Sequence, residues 1–486
     1  MNKKLVTLLL VSTLLLGGCV NIKPNDVENE PEKMTSQEMV EQQIPLRESV
    51  GLKFWSIGNN TCYVMDIGTC KDSILVIPET SPKGETVVGV MYGAFAGCQQ
   101  INYVYFPDTV KSIGSWAFHD CKNLYSVDLN SVEIIGEYAF HDCNFSSIFI
   151  SKSVKGIGRA AFSGSSHLYS IRVHPDNPYY RSMKYGLIDI QTRTLILGCA
   201  DDGFVFLDSD EGVNAIGDYA FCGNEALLWF DTNGVIEKIG ESAFDSCKNV
   251  TEIGMYDGVK QIGREAFYGC SALKHMVIPD SVTEIGKGIL QGCTSLKEVY
   301  IGTGITEIPS RTFSDCTNLT KIEPQDYLKN VKSIGMYAFT DCQSLTEIPL
   351  PSGLETIGLK AFWGCSNLKH LEIPEQVTFP DGTYDLFLDC YHLESVKLPA
   401  NTKYINDSCF MNCSSLKSVV IPSGVTEIGE MVFWRCYSLE TIYYDGDIAE
   451  WNRLMQNYSW MTRSELRIKC DDGEILIIRP EEENGK

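Results

Sequence analysis

Hydrophobic positions recur along this chain with a period of 22 or 23 residues. The stretch 261–283, QIGREAFYGCSALKHMVIPDSVT, is followed by 284–306, EIGKGILQGCTSLKEVYIGTGIT. The shared pattern is I-G-x-x-A-F-x-x-C-x-x-L-x-x-V-x-I-P. With the phenylalanine as marker there are fourteen copies, at Phe95, Phe118, Phe140, Phe162, Phe221, Phe244, Phe267, Leu290, Phe313, Phe339, Phe362, Phe387, Phe410 and Phe433. The spacing widens to 26 before Phe339, to 25 before Phe387 and to 59 between Phe162 and Phe221. Self-similarity at such a period marks stacked supersecondary units, none large enough to bury its own apolar face.

Two periods alternate within each unit. Leu273, Met276 and Ile278 belong to a period-two segment, which predicts a short strand with Met276 and Ile278 inward and Lys274, His275 and Val277 outward. A proline often follows and ends the ladder, as at Pro107, Pro279, Pro374, Pro399 and Pro422. Ile262, Ala266, Phe267 and Cys270 fall at i, i+4, i+5 and i+8, which predicts one face of a two-turn helix. Stacked in register, these units form a solenoid. A parallel sheet lines its concave side, and short helices and turns form its convex side.

The unit resembles the BspA-type leucine-rich repeat of bacterial surface proteins, over about residues 52–445. That resemblance implies a surface location and adhesion to host matrix proteins or other cells. It also implies that the long gap after Phe162 holds a hairpin insert, at about 174–205. The residues there agree. Two apolar runs, 186–190 and 194–197, flank a Gln191-Thr192-Arg193 turn. Both ends read as caps. At 51–91 the chain carries a hairpin signal at Gly58-Asn59-Asn60. At 446–486 it carries a short helix anchored by Trp451 and Leu454, then a last strand from Cys470 to Ile478.

The N-terminus is of another kind. Lys3 and Lys4 precede an apolar run from Leu5 to Leu16, too short for a confident membrane span, and then Leu16-Gly17-Gly18-Cys19. This resembles a bacterial lipobox. It implies a signal peptide at 1–18 and a diacylglycerol anchor on Cys19, which attaches the chain to the membrane. Residues 19–50 then serve as lipidated cysteine and tether, rich in proline and acids.

The formal net charge of −23 argues against nucleic acid, which requires a basic footprint. Of nineteen cysteines, twelve stand three residues after the marker. One cysteine per coil at a fixed position is a packing signature, so a reduced, buried ladder is expected. Neighbouring coils come near disulfide range, so some bridging stays open, and Cys62–Cys70 is the best-placed pair outside the ladder. The sequence carries no C-x-x-C, H-E-x-x-H, P-loop or G-x-S-x-G motif. The sequence therefore gives no ground for expecting a metal, a cofactor or catalysis. His119 and His141 are expected on the outer turns. Asp208-Ser209-Asp210-Glu211-Gly212 reads as a solvated acidic turn rather than a calcium loop.

Function is then expected on the outward positions of the strand wall. Tyr103, Tyr105, Tyr125, Phe149 and Tyr169 form an aromatic candidate binding face in the early coils. Charged residues such as Glu252, Lys274, His275, Lys297, Glu298, Lys369, Glu372 and Lys397 replace them later. The expected partner is a host matrix or cell-surface protein or glycan, bound by a monomer. The competing readings are a structural envelope protein without a dedicated ligand and, third, an exported carbohydrate-active enzyme.

Overall fold

The computed structural model describes residues 47–207, 209–323, 330–454 and 465–478. Cys19, the leader, the tether up to residue 46 and the C-terminal tail lie outside the described residues. The tether read from the sequence runs to residue 50. Ser49 is instead buried and exchanges hydrogen bonds with Val76, so the folded part begins earlier. Most coils contribute one strand to a wall of several short parallel ladders, and the coil after Phe339 meets it only through a single bridge from Glu347 to His370. His275–Ile278 pairs in register with Glu298–Ile301, and that strand pairs with Lys321–Glu323. Met276 and Ile278 are buried while His275 and Val277 are exposed, as the alternation requires.

The predicted helices do not form. The isoleucine of I-G instead lies in a second parallel ladder of two-residue strands, such as Gln261–Ile262 beside Glu284–Ile285. After it the backbone runs as successive turns. The residue two before the marker and the residue two after it both take positive φ, as Trp116 (63°) and Asp120 (57°) do around Phe118. A left-handed residue cannot continue a right-handed helix. The N–H groups show where the hydrogen bonds go instead. Those of Trp116, Phe118 and Asp120 donate to Glu137, Ala139 and His141 of the next coil, at 2.9, 2.7 and 2.9 Å. Those of Ala117, His119 and Cys121 donate three residues back. The apolar spacing that suggested a helix is kept, but the backbone is bonded between coils.

The glycine of I-G permits that closeness. A Cβ on Gly263 would stand 2.5 Å from the backbone nitrogen of Glu241 in the preceding coil. Gly263→Ala must therefore push two coils apart. We expect a loss on the order of 1–3 kcal/mol, as for other overpacked sites, measurable as a lower urea midpoint.

Marker side chains stack face to face down the centre. Ring centroids are 5.2 Å apart for Phe118–Phe140 and for Phe221–Phe244, and 5.3 Å for Phe313–Phe339. Each ladder cysteine lies beside this column. The thiol of Cys270 donates to the Phe244 carbonyl at 3.1 Å, and Cys121, Cys143, Cys247, Cys293, Cys316, Cys342, Cys365, Cys390, Cys413 and Cys436 make the same bond one coil apart. Only a thiol can donate in this way. Cys62 and Cys70 are both free and buried, so the pair proposed from sequence is not joined.

At the expected insert the chain makes three antiparallel strands, Tyr180–Met183, Gly186–Asp189 and Thr194–Gly198. The last pairs in parallel with Ala215–Ile216 and so rejoins the second ladder. The insert divides the interior into two clusters. Leu187 and Leu197 belong to the first, and Ile188 and Leu195 to the second. Tyr180 closes the edge left open, because its hydroxyl accepts the N–H of Ile157 at 2.9 Å.

Both caps form. Lys53–Gly58 and Thr61–Asp66 pair across Asn59 and Asn60, which have φ of 53° and 58°, the positive values a type I′ turn needs. At the other end the helix Ile448–Leu454 buries Trp451. Two strands rather than one follow, Glu465–Cys470 and Gly473–Ile478.

Candidate functional site

The outward row of the strand wall was the candidate surface, and the structure redistributes it. Phe149 is exposed and Tyr169 is 53% exposed. Tyr105 and Tyr125 are half-buried. Tyr103 is 3% exposed and does not belong to the surface. It stands on the outward side of its strand, between Ile74 and Ser126, but its neighbours cover it. Burial pushes its phenol well above the usual tyrosine range, and the nearby Asp128 carboxylate adds to the shift. Tyr103 stabilises this wall rather than offering contact.

A second group of exposed aromatics lies just after the insert. Phe204 is 52% exposed, and Phe206, Leu228 and Tyr256 are exposed as well. Register explains the grouping. Phe204 pairs with Trp229 and Phe206 with Asp231, while Val205 and Phe230 between them point into the core. The rings of Phe206 and Trp229 stack at 6.2 Å and 11°. Tyr256 donates to the buried Asp231 carboxylate at 3.0 Å, which fixes its ring at the edge of the patch. Its phenol is pushed up to about 12, by burial first and then by Asp231.

These residues were legible. Phe204-Val205-Phe206 and Leu228-Trp229-Phe230 are both short apolar runs rich in β-formers, which read as strands. An insert boundary at about 205 cuts through the first of them and hides it. Past Glu252 the wall turns charged, as expected. His275 faces Glu298 at 3.7 Å, and Lys417 pairs with Glu394 at 2.6 Å between coils. Such exposed pairs contribute little to stability.

His119 and His141 sit on the outer turns, stacked at 5.4 Å. His141 Nδ1 lies 2.9 Å from Ser163 Oγ. Burial holds the His141 ring below its ordinary basicity, against the pull of Asp142. Among the described residues no three His, Cys, Asp or Glu side chains gather as a metal set. No helix among them is long and apolar enough to cross a membrane.

A parallel solenoid with one strand and one two-residue strand in most coils, joined by turns, has the architecture of a leucine-rich repeat protein. The BspA type leucine rich repeat region, in six copies, matches residues 90–187, 214–333 and 325–440, more than half of the chain. The chain belongs to that family. Solved structures of similar fold include a leucine-rich repeat protein from Bacteroides ovatus. It is 22% identical, with 88% of this chain and 99% of that one covered and a TM-score of 0.40. A leucine rich cell surface protein from Faecalibacterium prausnitzii is 20% identical, with 85% and 99% covered and a TM-score of 0.45. The pneumococcal vaccine antigen PcpA is 18% identical, with 64% and 92% covered and a TM-score of 0.44. Among curated proteins, none matches the chain in sequence.

Proposed function

We propose that this is a surface protein, lipid-anchored at Cys19, whose strand wall binds a protein or glycan of another cell or matrix and performs no chemistry. The observation that carries the reading is the set of exposed aromatic side chains on this side of the coils. Phe149 lies on Ser147–Ile150, Tyr169 just before Ser170–Val173, and Phe204 and Phe206 on Phe204–Phe206, each strand held in a parallel ladder. Large rigid apolar groups on a fixed sheet give contact area at little entropic cost. The lipobox at 16–19 supplies the anchor and fits an exported chain.

The test uses the soluble 20–486 protein and surfaces coated with matrix proteins or cell-wall glycans. Replacing Phe149, Tyr169 and Phe204 together by Ala should weaken binding to the captured partner at least about tenfold, the usual effect of losing one aromatic anchor. The same variant should fold normally, since the side chains are exposed. Undiminished binding would transfer the function elsewhere. If stability falls while binding holds, the rings only brace the sheet.

A further inference from the structure

A second site lies away from these exposed aromatics, where the spacing between markers stretches to 25 residues before Phe387. The extra residues interrupt the ladder of two-residue strands. Thr356–Ile357 meets its neighbour through a single bridge to Thr378, and the ladder resumes only at Tyr404–Ile405 beside Glu427–Ile428. A cleft of about 410 Å³ occupies the interruption. Its walls are the loop around Phe379, Asp381 and Tyr384 and the turn from Asn401 to Asn406.

The polar groups of this cleft are held in place and in part unused. Asn406 Oδ1 accepts the N–H of Thr383 at 2.7 Å, and the Asn406 N–H donates to Thr383 Oγ1 at 2.8 Å. Those bonds fix the amide, and leave its Nδ2 group without a partner among the described residues. Thr402 is only 3% exposed, yet its hydroxyl makes no hydrogen bond. A buried hydroxyl without a partner is costly, and in a cleft wall it marks a group that a ligand can satisfy. Tyr384 and Tyr404 are both exposed beside it. Gly382 keeps the space open. It has a φ of +82°, and a Cβ there would stand 2.6 Å from Asn406 Oδ1.

The geometry points to this cleft as a binding site for a neutral saccharide unit. Tyrosine rings offer flat apolar faces to the C–H side of a sugar, while a primary amide, a carboxylate at Asp381 and an unpaired hydroxyl offer both donors and acceptors to its hydroxyl groups. The lining holds one cation, Lys403, and one anion, Asp381, so it carries no net charge that would select phosphate or carboxylate. The cleft is within the size range of small-ligand sites. It stands on different residues from the exposed aromatics of the strand wall, so either site can exist without the other.

Saturation-transfer NMR of the full chain with glucose, galactose and N-acetylglucosamine, each offered separately, tests the assignment. At least one sugar should receive saturation. Tyr404→Ala, at an exposed position, should abolish that transfer. Thr402→Val keeps the shape and removes the hydroxyl. It should weaken binding about fivefold while leaving the melting temperature unchanged or higher, because the hydroxyl is unpaired in the free protein. Replacing Phe149, Tyr169 and Phe204 should leave the transfer intact. No transfer to any of the three sugars, or transfer that persists in Tyr404→Ala, overturns the site.

Discussion

Raising the pH through 10 should unfold the repeat array, with the thiols driving the loss. The ladder cysteines sit in the core beside the phenylalanine column, and burial is the first cause of their shift in every case. It pushes Cys121, Cys293 and Cys436 up to about 12, and Cys143 and Cys270 well above the ordinary thiol range. A folded-state pKa raised above the unfolded value of 9.0 means the stability is complete below pH 9 and is lost as pH rises towards the folded values. Each such thiol withdraws about 1.4 kcal/mol per pH unit above 9. Eleven thiols that donate to a neighbouring coil's carbonyl together withdraw on the order of 10 kcal/mol by pH 10, as much as an entire domain's stability. Thiolate absorbance and loss of circular dichroism should therefore appear together. Thiolate formed while the dichroism is intact would show that the ladder is open to solvent. The same burial should protect the ladder from iodoacetamide at pH 8 until the chain is unfolded.

The period of the repeat was readable because the inward positions recur as apolar residues in nearly every coil. Met276, Ile278 and Phe267 needed no structure to place. The turns were harder, because burial at i, i+4, i+5 and i+8 suits a helix and a stacked turn equally. What separates them is the position two after the marker, which is Gly, Asp or Asn in twelve of the fourteen copies, such as Gly97, Asp120, Asp142, Gly269 and Asn412, with Ser246 and Arg435 the exceptions. Gly, Asp and Asn are the residues that accept positive φ, and such a column contradicts a helix. At the candidate surface, strand alternation placed Phe149 and Tyr169 correctly. It could not place Tyr103, because outward direction does not decide what neighbouring side chains cover. The cleft near Phe387 showed in sequence only as two or three extra residues, and its unpaired hydroxyl appears only once the coils are stacked.

Two separate cores imply two separately breakable halves. Phe140 stacks on Phe118 and Phe162 at 5.2 Å each and lies in the first cluster. Phe339 stacks on Phe313 at 5.3 Å and on Phe362 at 5.9 Å in the second. Either ring replaced by Ala should cost roughly 3–5 kcal/mol, the transfer free energy plus the cavity. In a quasi-one-dimensional array that loss stays within the cooperative unit that contains it. Phe140→Ala should thus accelerate amide exchange before the insert and spare the coils after Phe221, while Phe339→Ala should do the reverse. Hydrogen exchange resolved along the chain reads both outcomes in one experiment. Uniform acceleration from either variant would mean that the three-stranded insert couples the two cores instead of dividing them. In that case the joint formed by Leu187 and Leu197 on one side and Ile188 and Leu195 on the other would carry the cooperativity of the whole solenoid.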